Sequence, residues 1–139
     1  MVSMSKSGEP PCVVARFGSV FRRIVGSMAP AVRALIDGGN GVIFDHVLHD
    51  KAMYESCLAA TVGLDIFKVG ITCPLNVLEA RERARGDRVL GRARGLVDVV
   101  HTFTDYDVMV DTGSMSTEAC TATILAALST RSLPHPMGS

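Results

Sequence analysis

The chain has 139 residues and a mass of 14.8 kDa, and its 47% hydrophobic and 20% charged residues indicate one globular domain and exclude a chain disordered throughout. Fourteen basic and fourteen acidic residues cancel, so no overall field attracts nucleic acid or anionic lipid, and no apolar run approaches the roughly 20 residues of a membrane-spanning helix. No secretory signal opens the sequence and its four cysteines show no C-x-x-C spacing, which predicts a soluble cytoplasmic protein with reduced thiols.

Two short terminal segments flank one predicted domain. Residues 1–11 and 131–139 are rich in Ser, Gly and Pro without periodicity, so we expect a mobile lead-in and a mobile tail around a single α/β domain over residues 12–130. The domain begins with a β-prone run, CVVARF at 12–17. Apolar residues at helical spacing then predict a helix that opens at Ser19.

Strand and helix patterns alternate through the remainder of the chain. Three apolar runs lack polar alternation, which is typical of strands buried on both faces of a parallel sheet, and we expect them to be parallel strands of one sheet: Val42–Asp45, Asp65–Thr72 and Asp107–Asp111. Helices are predicted around 50–60, 74–85, 90–101 and 117–129. This order predicts an α/β fold, a parallel sheet with flanking helices.

The sharpest local signal is a run of arginines in ARERARGDR at 80–88. If the segment is helical, Arg81, Arg85 and Arg88 fall on one face, and Arg92 extends the stripe. Planar guanidinium groups suit phosphate oxygens, so the segment could close over a polyphosphate and stabilise charge during phosphoryl transfer. The alternative is a solvated helix whose arginines pair with nearby carboxylates, namely Glu79, Glu82 and Asp87.

Two further candidates lie at predicted strand ends. Asp45 directly follows an apolar run, at the edge where open α/β sheets bind ligands, and its carboxylate could hold a magnesium-bound water or cap a turn. Thr112 follows the last strand, where it could contact a nucleotide base or begin a turn. The string DHVLHD at 45–50 has two histidines without a further ligand cluster, so we expect structural roles there and no protein-bound metal.

Longer stretches resemble a known family. VGITCPLNVLEARERARGDRVLGRA at 69–93, VVH at 99–101 and YDVMVDT at 106–112 closely resemble the chloramphenicol phosphotransferase family of P-loop kinases, and GGNGVIFDHVL at 38–48 is similar to its third-strand segment. The resemblance covers most of residues 18–128. It implies a P-loop-kinase-like three-layer architecture, ATP and Mg²⁺ as cofactors, and transfer of a phosphoryl group to a small hydroxylated substrate, as in antibiotic resistance.

The resemblance also implies roles for individual residues. It makes the arginine segment the lid over ATP, with Arg81, Arg85 and Arg88 as lid residues. Together with Arg92 and Thr112, which the residue patterns add, these are the candidate nucleotide contacts. The catalytic candidates are Asp45, Arg85 and Arg88.

One departure from the family is large. Kinases of this class use a G-x-x-x-x-G-K-[ST] loop, the Walker A motif, whose amides and Lys hold the phosphates, and the sequence contains no such loop. The resemblance supplies only the last three strands of a five-stranded sheet. We therefore expect an N-terminally truncated chain with impaired activity and weak ATP binding.

Without the family's first strand, the centre of the sheet would have a gap with exposed strand edges. The run at 12–17 could fill this gap, between the strands at 42–45 and 65–72. A second chain could instead exchange elements, and we expect a homo-oligomer for this reason.

Two functions remain open at this point. The first is an ATP-dependent small-molecule O-phosphotransferase. The second is a non-catalytic remnant that binds nucleotide weakly or serves as an oligomeric interaction domain. A Walker loop encoded ahead of Met1 would favour the first, and neither the fold nor the sequence identifies the acceptor substrate.

Overall fold

The computed structural model of the chain describes residues 11–14, 16–87 and 89–131. In chain order the described elements are α1 (Ser19–Asp37), α2 (Lys51–Ala60), β1 (Val69–Thr72), α3 (Leu75–Arg85), α4 (Arg92–Leu96), β2 (Val108–Asp111) and α5 (Thr117–Thr130). The lead-in and tail predicted at 1–11 and 131–139 lie almost entirely outside the described residues. None of the described helices is both long and apolar enough to cross a membrane.

The two strands form a parallel sheet, with Val69 opposite Val108 and Thr72 opposite Asp111. The parallel pairing of the segments at 65–72 and 107–111 is therefore confirmed. Helix α5 packs against β2, where Val110 is only 2% exposed. The parallel order places the carboxyl ends of both strands at one edge of the sheet, with the chain between them running through α3 and α4.

The strand predicted at Val42–Asp45 is wrong, because these residues form no strand in the described structure. Exposure alternates along the segment, and the side chain of Ile43 is 99% exposed while its neighbours Val42 and Phe44 are half-buried. A strand exists only through backbone pairing with a neighbour, and the described sheet offers this segment no such neighbour. An apolar run therefore does not by itself make a strand.

The run at 12–17 is not a substitute strand either. Its Val13 N–H donates to the carbonyl of Gly91 at 2.9 Å, just ahead of α4. A Cβ atom at Gly91 would lie 2.2 Å from the Pro11 carbonyl oxygen, and one at Gly95 would lie 2.2 Å from that of Val13. The segment therefore lies against the glycines around α4, and it does not enter the sheet between 42–45 and 65–72.

The predicted helices are present, with one of them shortened. Asp50 caps α2 by accepting from the Met53 N–H at 2.9 Å, and Ser116 caps α5 by accepting from the Ala119 N–H at 3.2 Å. The helix predicted at 90–101 is reduced to the five residues of α4 and continues as turns. Two glycines, Gly91 before it and Gly95 within it, disfavour a longer helix.

Candidate functional site

A cleft of about 470 Å³ opens at the carboxyl ends of β1 and β2, a size typical of small-molecule sites. Helices α3 and α4 supply two of its walls. Its polar lining includes Thr72, Arg81, Glu82, Arg85, Arg92, His101 and Thr112. Its apolar lining includes Val47, Ile71, Leu78, Leu96, Val97 and Val100. Guanidinium groups and an apolar floor therefore meet where parallel sheets bind ligands.

Four of the six candidate residues line this one cleft: Arg81, Arg85, Arg92 and Thr112. Arg88 lies outside the described residues, so its role stays a prediction. Asp45 is exposed in the irregular segment before α2 and is not among the cleft residues. The structure thus brings together the four candidate nucleotide contacts that it describes, and it leaves the candidate catalytic carboxylate of Asp45 apart from them.

Arg81 connects α3 to the turn that follows β2. Its Nη1 donates to Thr112 Oγ1 at 3.1 Å and its Nη2 donates to the Thr112 carbonyl at 2.6 Å. Thr112 Oγ1 in turn donates to the carbonyl of Thr72 at 3.1 Å. Because its donors already bind this turn, Arg81 fixes the wall of the cleft as well as contributing charge to it.

In the described structure, neither Arg85 nor Arg92 is held in a buried ion pair. The closest carboxylate to Arg85 is that of Asp87, at 3.8 Å from Nε, with more than half of both side chains exposed. Such exposed ion pairs contribute little to stability, so the arginine can leave the carboxylate and bind another anion. Arg92 is exposed, and within the described residues it forms no ion pair. Both guanidinium groups are therefore available to an anionic ligand.

Glu82 is a site residue that sequence reasoning missed. It is 8% exposed, and its carboxylate accepts from the N–H groups of Gly91 at 2.7 Å, Arg92 at 3.0 Å and Ala93 at 3.1 Å. Within the described residues Glu82 pairs with backbone amides and not with an arginine, whereas Arg85 and Asp87 form an exposed pair of the kind that the alternative predicts. A signal was present, since Glu82 follows Leu75 and Leu78 at helical spacing and so shares their face.

A second carboxylate of α3, Glu79, also reaches α4. It accepts from Arg94 Nη2 at 2.5 Å, and both side chains are largely buried. Charge-assisted contacts of this kind are the stronger ones. This pair is a second contact between α3 and α4, and it involves the side chain of Arg94, which does not line the cleft.

His101 follows the turns after α4 and connects them to the sheet. Its Nε2 lies 3.1 Å from the carbonyl of Ile71, which can only accept, so Nε2 carries the proton and Nδ1 accepts from Tyr106 O–H at 2.9 Å. Burial raises the pKa of Tyr106, which keeps its phenol neutral and able to donate. This geometry gives His101 a structural role.

His46 and His49 lie on either side of Val47, which lines the cleft. One ring nitrogen of each, Nε2 of His46 and Nδ1 of His49, is buried without a hydrogen-bond partner among the described residues. Burial lowers the pKa of both imidazoles, and for His49 the nearby Arg92 and His46 lower it further while Asp50 opposes them. No group of three or more His, Cys, Asp or Glu side chains in the described parts of the chain could hold a metal ion.

These histidines predict how stability depends on pH. Their pKa values are lowered from about 6.5 on folding, so the unfolded chain binds more protons as the pH falls below that value. We expect the free energy of unfolding to fall between pH 7 and about pH 5 and to level off below the folded-state pKa values. Urea denaturation across this range measures it. In the double variant His46→Gln and His49→Gln the decline should be smaller, and an unchanged slope would contradict the assignment.

Comparison with known proteins agrees with this picture. The family model described as "Chloramphenicol phosphotransferase-like protein" matches residues 4–129. Two proteins of Mycobacterium tuberculosis, from strains CDC 1551 / Oshkosh and ATCC 25618 / H37Rv, are each 33% identical over 82 residues, and both are named "Putative O-phosphotransferase". The matched region is 59% of this chain and 36% of each relative, so the chain spans well under half of their length. The arginine-lined cleft thus belongs to a chain that is a member of the chloramphenicol phosphotransferase-like protein family.

Proposed function

We propose that this chain provides two parts of the nucleotide site of an ATP-dependent O-phosphotransferase that acts on a small hydroxylated substrate. These parts are the arginine-bearing lid and the wall that faces the nucleotide base. The observation that carries the proposal is the meeting of Arg81, Arg85 and Arg92 in one cleft at the carboxyl ends of two parallel strands. Membership of the family and the likeness to proteins named as O-phosphotransferases support it. The three-layer P-loop-kinase-like architecture is part of the same proposal.

The residues present fit a nucleotide phosphate chain. Arg85 and Arg92 would bind phosphate oxygens, since their donors are exposed at the cleft, and Arg88 is the third candidate. Arg81 and Thr112 would shape the wall that faces the rest of the nucleotide. Guanidinium groups stabilise charge that develops on a transferring phosphoryl group, which is the chemistry this lid would supply.

The described residues do not form a magnesium site of their own. No suitable cluster of carboxylates is present among them, and Asp45, the candidate for a magnesium-bound water, does not line the cleft. Mg²⁺ commonly binds through substrate phosphates with one or two carboxylates. We therefore assign no step of the reaction to a metal bound by these residues.

The first test uses NMR titration to measure the dissociation constants of tripolyphosphate and of ATP. We expect dissociation constants weaker than micromolar, because the sequence has no Walker A loop to supply its amides and Lys. Removing two charge-assisted contacts in the double variant Arg85→Ala and Arg92→Ala should weaken tripolyphosphate binding further, by about tenfold or more. The pair Arg85→Ala and Arg88→Ala tests the lid residue predicted from sequence alone.

Arg83→Ala is the matched control. Arg83 is exposed on the same helix and carries the same charge, but it does not line the cleft. Its replacement should leave the affinity within about twofold, since only long-range attraction is lost. Equal losses in the control and the cleft variants would show that the chain attracts anions by charge alone and would contradict the proposed site.

The second candidate function is a non-catalytic nucleotide-binding or oligomeric interaction domain. It is favoured by the position of Asp45 outside the cleft and by the lack of a Walker A loop in the sequence. Phosphoryl transfer from ATP to a panel of hydroxylated antibiotics distinguishes the two. Transfer that is lost in the Arg85→Ala and Arg92→Ala variant supports the enzyme, whereas tripolyphosphate binding without transfer supports the second candidate.

A further inference from the structure

The buried carboxylate of Glu82 occupies the start of α4. It accepts three backbone hydrogen bonds, from Gly91, Arg92 and Ala93, and these are the amides that a short helix leaves without partners inside itself. The same carboxylate lies at the wall of the arginine-lined cleft. Because these amides already have a partner, an anion in the cleft would be bound by side chains and not by the end of α4.

The hydrogen bond from the Arg92 N–H to Glu82 fixes the backbone position from which the Arg92 side chain extends. The Arg92 amide is held at 3.0 Å from Glu82 Oε1, and its guanidinium is exposed at the cleft without a carboxylate partner in the described structure. The segment from 86 to 91 starts and ends with glycines at positive φ, Gly86 and Gly91. Glycine adopts this conformation without a strong intrinsic preference for it, so the Glu82 contact to the Gly91 N–H helps to hold the backbone next to Arg92.

Two opposite effects of Glu82 on anion binding must be compared. Its negative charge repels an anion in the cleft, which would make removal of the charge favourable for binding. Its hydrogen bonds hold Arg92 in place, which would make removal unfavourable. The charge is buried and already satisfied by three N–H donors, so its repulsion is partly offset, whereas the hydrogen bonds are local and charge-assisted.

We infer that Glu82 is a positioning residue that sets Arg92 for binding the phosphate chain of a nucleotide, an inference that rests on the proposed function. It acts through the backbone of α4 and does not touch the ligand. This role predicts the direction of the change in anion affinity. Neutralising Glu82 weakens the binding of an anion, although it removes a negative charge. The loss also depends on Arg92, because Arg92 is the group that Glu82 positions.

The test is a double-mutant cycle with tripolyphosphate, read by NMR titration. Glu82→Gln keeps the size of the side chain but places an amide donor against backbone donors, and it should weaken binding about fivefold. Combining it with Arg92→Ala should weaken binding no further than Arg92→Ala alone. Glu82→Asp retains the charge and shortens the reach, and it should weaken binding in the same way.

Glu79→Gln is the control, because Glu79 lies one turn earlier and contacts Arg94 in α4 without lining the cleft. It should leave affinity within about twofold, and hydrogen exchange at residues 91–93 should accelerate only in the Glu82 variants. Unchanged or tighter binding by Glu82→Gln, or losses that multiply with Arg92→Ala, would overturn the inference. So would failure of both Glu82 variants to fold where Glu79→Gln folds. If the unaltered chain binds no tripolyphosphate, the proposed phosphate site fails and the inference fails with it.

Discussion

Replacing Gly91 with Ala should lower the free energy of unfolding by at least about 2 kcal/mol. Gly91 has φ of +92°, a conformation that costs a non-glycine residue about 1–2 kcal/mol. A Cβ atom there would also lie 2.2 Å from the carbonyl oxygen of Pro11, so residues 11–14 would have to move away. That movement would break the hydrogen bond between the Val13 N–H and the Gly91 carbonyl.

Gly86→Ala is the matched comparison. Gly86 has φ of +68°, but a Cβ atom there would meet no atom of the other described residues within 4 Å. Its replacement should cost only the backbone strain, about 1 kcal/mol. Urea denaturation of the two variants gives the difference. Equal destabilisation would show that residues 11–14 do not pack against α4 in solution, and the account of the N-terminal segment given above would be wrong.

The parallel strands could be predicted because their signal is local and their pairing is general. Apolar runs at 65–72 and 107–111, separated by helical segments, leave a parallel arrangement as the natural solution, and β1 and β2 lie within these runs. Helix starts also have local determinants, because Asp50 and Ser116 each accept a hydrogen bond from the N–H three residues later and so cap the helix that follows.

The strand at Val42–Asp45 was predicted wrongly because strand formation is not local. Its apolar residues satisfy the sequence pattern, but the pattern does not include the neighbouring strand that must supply hydrogen bonds. In the described sheet this neighbour is absent, and Ile43 is left in solvent. The position of Asp45 depended on that strand, which is why the catalytic candidate is the part of the site that the structure places elsewhere.

The cleft shows the same division between local and distant determinants. The clustering of the arginines was visible in the sequence, but they do not follow one helical stripe: Arg81 and Arg85 lie on α3, which ends there, and Arg92 lies on α4, and all three line the cleft. Glu82 was not recognised, since its partners are the amides of residues nine to eleven positions later. Its helical spacing from Leu75 and Leu78 indicated that it shares their face, but the pairing of its carboxylate with these distant amides is identified only by geometry.

The exposed apolar surface of α1 predicts that the chain self-associates, and we propose a homo-oligomer. The helix packs on α2 through a side that includes the buried Ala29, yet Val20, Ile24 and Leu35 are 59%, 61% and 52% exposed. Val20 and Ile24 are one turn apart and Leu35 lies about three turns beyond Ile24, so the three share a face. Contiguous apolar patches of this kind usually mark an interaction site.

A charge in the middle of this face should therefore weaken self-association more than any polar change elsewhere on the helix. We expect light scattering at micromolar concentration to give a mass above 14.8 kDa for the unaltered chain and a lower mass for Ile24→Asp. Burying an unpaired carboxylate in an apolar interface costs several kcal/mol, which is enough to dissociate it. Ser19→Asp adds the same charge on the same helix, but exposed Ser19 lies about 100° or more round the helix from Val20, Ile24 and Leu35, so it should leave the mass unchanged. A monomeric unaltered chain would refute self-association, and equal dissociation by both variants would show that net charge, and not this face of α1, controls the assembly.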